Sequence, residues 1–372
     1  MKNIFAIILL ISVIFLSCKG QKNTQSTSGY DGKSGATKIV NTLHYPQEKH
    51  LKNIKQLTFG GDNAEAYWSF DNQSIVFQAT NKAWGDQCDQ IYTMPISQDL
   101  SKGGKPQLIS TGLGRTTCSY FLPGNKTIVY SSTHLGGHQC PPVPNKEDYG
   151  GKYVWPVYDS FDIFTADLKG NQLKQLTNSP GYDAEPTVSP KGGKIVFTSM
   201  RSGDLELYTM NIDGTNVKQI TNELGYDGGA FFSPDGSKLV FRTSRPKTPE
   251  EIKEYKDLLA IGLVQPTNME LYVCNIDGTE MQKITDLGNA NWAPFFHPIG
   301  KKIIFSSNHK TKRSFNLFMI NLDGTGLEQI TYDSVFDAFP MFSFDGKKLI
   351  FSSNRNNNGT SDTNLFIADW VD

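Results

Sequence analysis

Asp183-Ala184-Glu185-Pro186-Thr187-Val188-Ser189-Pro190, followed four residues later by Ile195-Val196-Phe197-Thr198-Ser199, is the stretch on which the fold turns. The phrase returns as Phe231-Phe232-Ser233-Pro234-Asp235-Gly236 with Leu239-Val240-Phe241, and as Pro294-Phe295-Phe296-His297-Pro298 with Ile303-Ile304-Phe305. It returns again as Pro340-Met341-Phe342-Ser343-Phe344-Asp345-Gly346 with Leu349-Ile350-Phe351. Weaker copies stand at Tyr67 to Asp71 with Ile75-Val76-Phe77, and at Tyr120 to Asn125 with Ile128-Val129-Tyr130. Each copy continues in one order: a strand such as Leu207-Tyr208-Thr209-Met210, a turn such as Asp213-Gly214, and a strand closing on Gln219-Ile220-Thr221. Asp-Gly between apolar runs reads as a two-residue hairpin in which both residues take positive φ. One copy is therefore a four-stranded antiparallel meander.

The closing Thr or Ser falls at positions 58, 110, 177, 221, 285 and 331, at intervals of 52, 67, 44, 64 and 46 residues. Four strands in about 40–50 residues is the spacing of propeller blades. The sixth copy runs to Leu365-Phe366-Ile367-Ala368-Asp369-Trp370 without an outer strand, while Ile54-Lys55-Gln56-Leu57-Thr58 is an outer strand with no blade ahead of it. The expectation is one all-β, six-bladed propeller over residues 51–372, its N-terminal strand closing the last blade and removing an exposed edge. Length alone would have suggested two or three domains.

Ahead of the repeats, Met1-Lys2-Asn3 leads into an apolar run from Ile4 to Leu16 and then Ser17-Cys18-Lys19. Thirteen residues are too few to cross a bilayer core, which needs about 20, and the pattern is that of a signal peptide over residues 1–17. The Cys after a small residue resembles a bacterial lipobox, which implies diacylation of Cys18 and a membrane anchor. Residues 18–50 then read as the lipidated Cys and a flexible polar tether. A net charge of −1 speaks against a nucleic-acid partner. Of the other cysteines, Cys274 lies in an apolar strand and reads as a buried thiol, and one disulfide is expected among Cys88, Cys118 and Cys140.

The phrases Ser-Pro-Asp-Gly, Asn-Ile-Asp-Gly-Thr and Gln-Ile-Thr look like the repeats of TolB-type β-propellers, and they cover essentially the whole mature domain. The resemblance, taken with the lipobox, implies an outer-membrane lipoprotein facing the periplasm and binding an envelope protein or peptide, with a saccharide as another ligand class. It departs from the family at the front, where TolB carries an α/β domain and here a short tether precedes Ile54. A literal role in the Tol-Pal system is therefore not expected.

Two intervals exceed the rest by about 20 residues, in the second and fourth repeats, and loops of this kind are where function varies. The first holds His134, His138 and Cys140 within seven residues, candidate ligands for a divalent cation, the one cofactor considered. The second runs from Lys247 to Gly262. Thr248, Pro249 and Glu251 there form a helix-start signature, and Ile252, Tyr255 and Leu259 share a face. Aligning the copies puts Asn63, Thr116, Asp183, Asp227, Asn291 and Asp337 in one column, and Glu65, Cys118, Glu185, Gly229, Ala293 and Phe339 two positions on. Asn63, Glu65, Asp183, Glu185, Asp227, Asn291 and Asp337 are the candidate ligand-binding residues at the channel mouth; the competing reading makes the repeated Asp a structural hydrogen bonder. The rival to binding is catalysis on saccharide or peptide. The hydrolase domain that similar propellers cap needs a Gly-x-Ser-x-Gly elbow, which this sequence lacks. A lyase on the propeller itself would need a His and a metal site. No catalytic residue is assigned.

Overall fold

The computed structural model describes residues 42–372. Signal peptide, Cys18 and most of the expected tether lie outside them. Six four-stranded antiparallel sheets follow one another in chain order. Blade 3 is the simplest: Asp183–Val188, Lys194–Ser199, Glu206–Asn211 and Lys218–Gln219, from the innermost strand outward. Blade 6 takes three strands from the end of the chain, Asp337–Phe342, Lys348–Ser353 and Asn364–Trp370, and its outer strand from the front, Leu51–Gln56. Leu51 pairs with Trp370 and Gln56 with Phe366, so the ring closes as the repeat count requires.

The recurring triplets explain themselves in the packing. Ile75-Val76-Phe77, Ile128-Val129-Tyr130, Ile195-Val196-Phe197, Leu239-Val240-Phe241, Ile303-Ile304-Phe305 and Leu349-Ile350-Phe351 are all 0% exposed. Each second strand has a neighbouring blade on both faces, so its sequence is continuously apolar and does not alternate. The closing Thr or Ser has an equally specific task. Ser110, Thr177, Thr221, Thr285 and Thr331 each accept, through the side-chain hydroxyl, the backbone N–H of the second residue in the third strand of their own blade, at 2.8–2.9 Å. Thr58 does the same for Leu365, 307 residues away, at 2.8 Å.

The Asp-Gly hairpins differ from the expected two-residue form. Gly214 is left-handed at φ 89°, and Asp213 is not among the residues with positive φ. Gly214 N–H donates to Asn211 O, and Asn211 N–H to Thr215 O. This is a three-residue loop ending in a glycine bulge, and Asp213 serves it by accepting from Thr215 N at 3.0 Å.

The end of the expected tether is also built into the domain. Glu48 is 0% exposed and binds Arg355 through two contacts of 2.9 and 3.1 Å. Tyr45 Oη donates to Asp333 at 2.8 Å, and Leu43 O accepts from Arg355 at 2.9 Å. The polar composition of this segment conceals a charge matched to a buried arginine.

Candidate functional site: the channel mouth and its roof

Two rings of side chains encircle the end of the channel where the inner strands begin. The first ring is the column Asn63, Thr116, Asp183, Asp227, Asn291 and Asp337, each at most 1% exposed. Its three carboxylates are engaged within their own blades: Asp183 by Arg201 at 2.9 and 3.0 Å, Asp227 by Arg245 at 2.5 and 2.9 Å, Asp337 by Arg355 at 3.0 and 3.1 Å. Each arginine follows its aspartate by 18 residues. At the same offset blade 5 has His309 and blade 2 has His134, each with Nδ1 2.9 Å from a Ser hydroxyl. Asn291 accepts from Ser307 at 2.7 Å, and Asn63 donates to Gly60 O and Thr363 O. Burial pushes the Asp183 and Asp227 carboxyls up, and their arginines pull them back. This ring braces the blades.

The second ring faces the opening. Glu65, Cys118, Glu185, Gly229, Ala293 and Phe339 all have positive φ, between 42° and 60°, and each marks a shift in the pairing register of its inner strand. Six bulges at one level re-aim six side chains. Glu185 accepts from Thr198 Oγ1 at 2.8 Å, Tyr226 Oη at 2.6 Å, Gly229 N at 2.6 Å and Arg242 Nη2 at 2.5 Å. Burial alone would raise its carboxyl; Arg242 and the hydroxyls hold it below the ordinary range. Glu65 accepts from Tyr67 Oη at 2.9 Å and has no ion pair among the described residues. Burial raises its carboxyl, against hydrogen bonds from Cys118 and Tyr67. Below the ring, Tyr67, Tyr120, Phe231 and Phe295 pack ring against ring at 5.4–6.0 Å, and an apolar recess of about 120 Å³ opens at the far end between Phe231, Phe295 and Phe342.

Arg242, which the sequence reading missed, brings a basic group to this level. It is 7% exposed, with its Nε buried and unpartnered. A Cβ on Gly229 would come within 1.7 Å of Arg242 Nη1, so this glycine makes the room. The available signal was the second-strand column, where blade 4 has Arg242 and the other copies have Gln78, Ser131, Thr198, Ser306 and Ser352.

The two long insertions meet over this sector. Trp155-Pro156 of blade 2 pairs antiparallel with Leu263-Val264 of blade 4, and Lys152 forms an ion pair with Glu254. Trp155 lies over the Arg242 guanidinium at 5.5 Å and against Trp292 at 5.2 Å. The helix Pro249–Leu259 has the full Thr248/Glu251 capping box, and its Tyr255 donates to Asp204 at 2.5 Å. Of the expected metal ligands, Cys140 is oxidised in a disulfide with Cys88 and offers no thiolate. His134 braces blade 2, and His138 lines a separate cleft of about 410 Å³ with Asp86, Gln90 and Lys105. No group of three or more His, Cys, Asp or Glu that could hold a metal occurs among the described residues. Cys118 and Cys274 are free and buried.

A closed ring of six four-stranded blades with a polar, bulge-lined mouth defines a β-propeller of the kind built from repeats sharing one turn chemistry. The TolB β-propeller domain model matches residues 156–250 and 259–362, more than half of the chain, and the chain belongs to that family. The fold is similar to that of a TolB from Acinetobacter baumannii, at 17% identity and TM-score 0.54, covering 81% of this chain and 64% of that one. It is also similar to a putative TolB from Agrobacterium tumefaciens, at 17% identity and TM-score 0.53, covering 84% of this chain and 91% of that one. No curated protein matches the sequence.

Proposed function

We propose that this chain is a cell-envelope lipoprotein, anchored through Cys18 in the outer membrane, whose propeller binds an envelope protein or peptide in the periplasm at the roofed channel mouth. The observation that carries the reading is the junction of the two insertions. Two loops from non-adjacent blades pair strand to strand and set Trp155 against Trp292 of blade 5 and over Arg242, the partner of Glu185. Aromatic surface next to a few convergent polar groups is what a binding pocket presents. The TolB family membership and the lipobox support the compartment. Photo-crosslinking in native envelopes provides the test: a benzoyl-phenylalanine at Tyr153, on the roof, captures a discrete partner, and one at Ile212, on the opposite face, does not. Equal capture from both faces would sink the reading. Labelled palmitate incorporated by the wild type and not by Cys18→Ser tests the anchor.

A further inference from the structure

Within the second ring, Glu65 and Glu185 occupy the same position two blades apart, and their surroundings can be compared term by term. Glu185 reaches to the next blade, where Arg242 supplies the charge that neutralises it. The position of Arg242 in blade 4 is that of Ser131 in blade 2, the blade next to Glu65. Ser131 is 0% exposed, and its hydroxyl is buried without a partner. Asp183 and Asp227 each have an arginine of their own, and Asp337 and Glu48 share Arg355. Glu65 forms no ion pair among the described residues: the positive charge that acts on it, that of Arg242, is bonded to Glu185, and its next-blade neighbour is a thiol, Cys118.

A partly buried carboxylate with no ion-pair partner of its own is costly to ionise, and a ligand that brings a charge to it recovers that cost. Resting on the mouth-binding reading, we infer that the group entering the mouth is a cation, the ammonium or guanidinium of a peptide Lys or Arg side chain, and that Glu65 is its counter-ion. Cys118 stands where Gly229 makes room for Arg242, so the cation comes from the channel and not from beneath the blade. The phenolic hydroxyl of Tyr67 donates to Glu65 from beneath the ring, and Phe339, the bulge residue of the preceding blade, stands at the level of Glu65; aromatic faces suit a cation and its aliphatic stem. Glu185 leaves the mouth anionic once Glu65 is ionised, because its own charge is balanced by Arg242.

The test uses the full chain and an acetylated, amidated Gly-Lys-Gly-Arg-Gly peptide, titrated calorimetrically against its neutral twin bearing Nε-acetyl-lysine and citrulline. The charged peptide should bind saturably and at least about tenfold more tightly than the twin, the worth of one charge-assisted contact. Glu65→Gln should erase the difference. A second variant guards against loss of folding: Cys118→Gly with Ser131→Arg rebuilds the blade-4 arrangement around Glu65, and should raise Tm while abolishing charged-peptide binding. Equal binding of the two peptides by the wild type, no saturable binding, or unchanged binding by the double variant overturns the inference. Roof crosslinks that persist in Glu65→Gln would leave the binding scaffold standing while this inference falls.

Discussion

At the scale of single residues, the mouth is a contrast between Glu185, whose charge Arg242 matches, and Glu65, which has no ion pair among the described residues. Arg355 shows what matching is worth. It is 1% exposed and sits between Glu48 and Asp337, both 0% exposed. Arg355→Met leaves two carboxylates buried without compensation and should cost about 3–5 kcal/mol, read as a lower urea midpoint; a loss under about 1 kcal/mol contradicts the network. Glu206 makes the opposite case. Burial, then the charges of Asp227 and Asp204, push its carboxyl up to about 8. The folded chain therefore keeps a proton that the unfolded chain releases above about pH 4.3, and this contribution to stability falls as pH climbs from there towards 8. Glu206→Gln should flatten that slope; identical slopes for wild type and variant would falsify the assignment. The aspartate and glutamate columns were legible because they repeat. Their partners were not, because an alignment shows which positions correspond and not which way they face. The 18-residue offset to Arg201, Arg245 and Arg355 exists in the sequence, but its meaning comes from strand pairing.

At the scale of elements, the roof is held at both ends. The Cys88–Cys140 disulfide spans 52 residues and ties the base of the blade-2 insertion to blade 1. Closing a loop of that length contributes about 2–4 kcal/mol, so Cys88→Ala with Cys140→Ala should lower Tm by several degrees. It should also weaken Tyr153 crosslinks more than it changes the propeller's far-ultraviolet spectrum. Unchanged Tm in the double variant would remove the disulfide from the account. The blade-4 helix was readable from Thr248, Pro249 and Glu251, since capping chemistry is local. The pairing of Trp155-Pro156 with Leu263-Val264 was not: two residues on each side carry no periodicity, and their partners lie more than 100 positions apart. The disulfide was narrowed to three cysteines by the sequence, and the fold chose among them by bringing blades 1 and 2 together.

At the scale of the whole molecule, the ring was the most legible feature of all, because six copies of one phrase state the blade number and the unpaired strand at each end states how it closes. Deleting residues 51–56 should therefore destabilise blade 6 first, 300 residues away in sequence. Hydrogen exchange at Asn364–Trp370 is the measurement, and protection equal to that of the intact chain would contradict the closure. The packed stretch around Glu48 extends this dependence, since Leu43, Tyr45 and Glu48 are bound by Arg355 and Asp333 from the other end of the chain.

The closing strand also sets an order in time. Leu51–Gln56 is synthesised ahead of every blade, and its partner Asn364–Trp370 is synthesised after every other strand of the ring. The segment made first waits longest for its mate, so an incomplete chain, however many finished blades it contains, has two open edges and no closed circle. Completion of the ring is thereby written into the architecture: only a chain translated through the third strand of blade 6 can hide both edges, and a product interrupted before it remains exposed to whatever in the cell recognises unpaired strands.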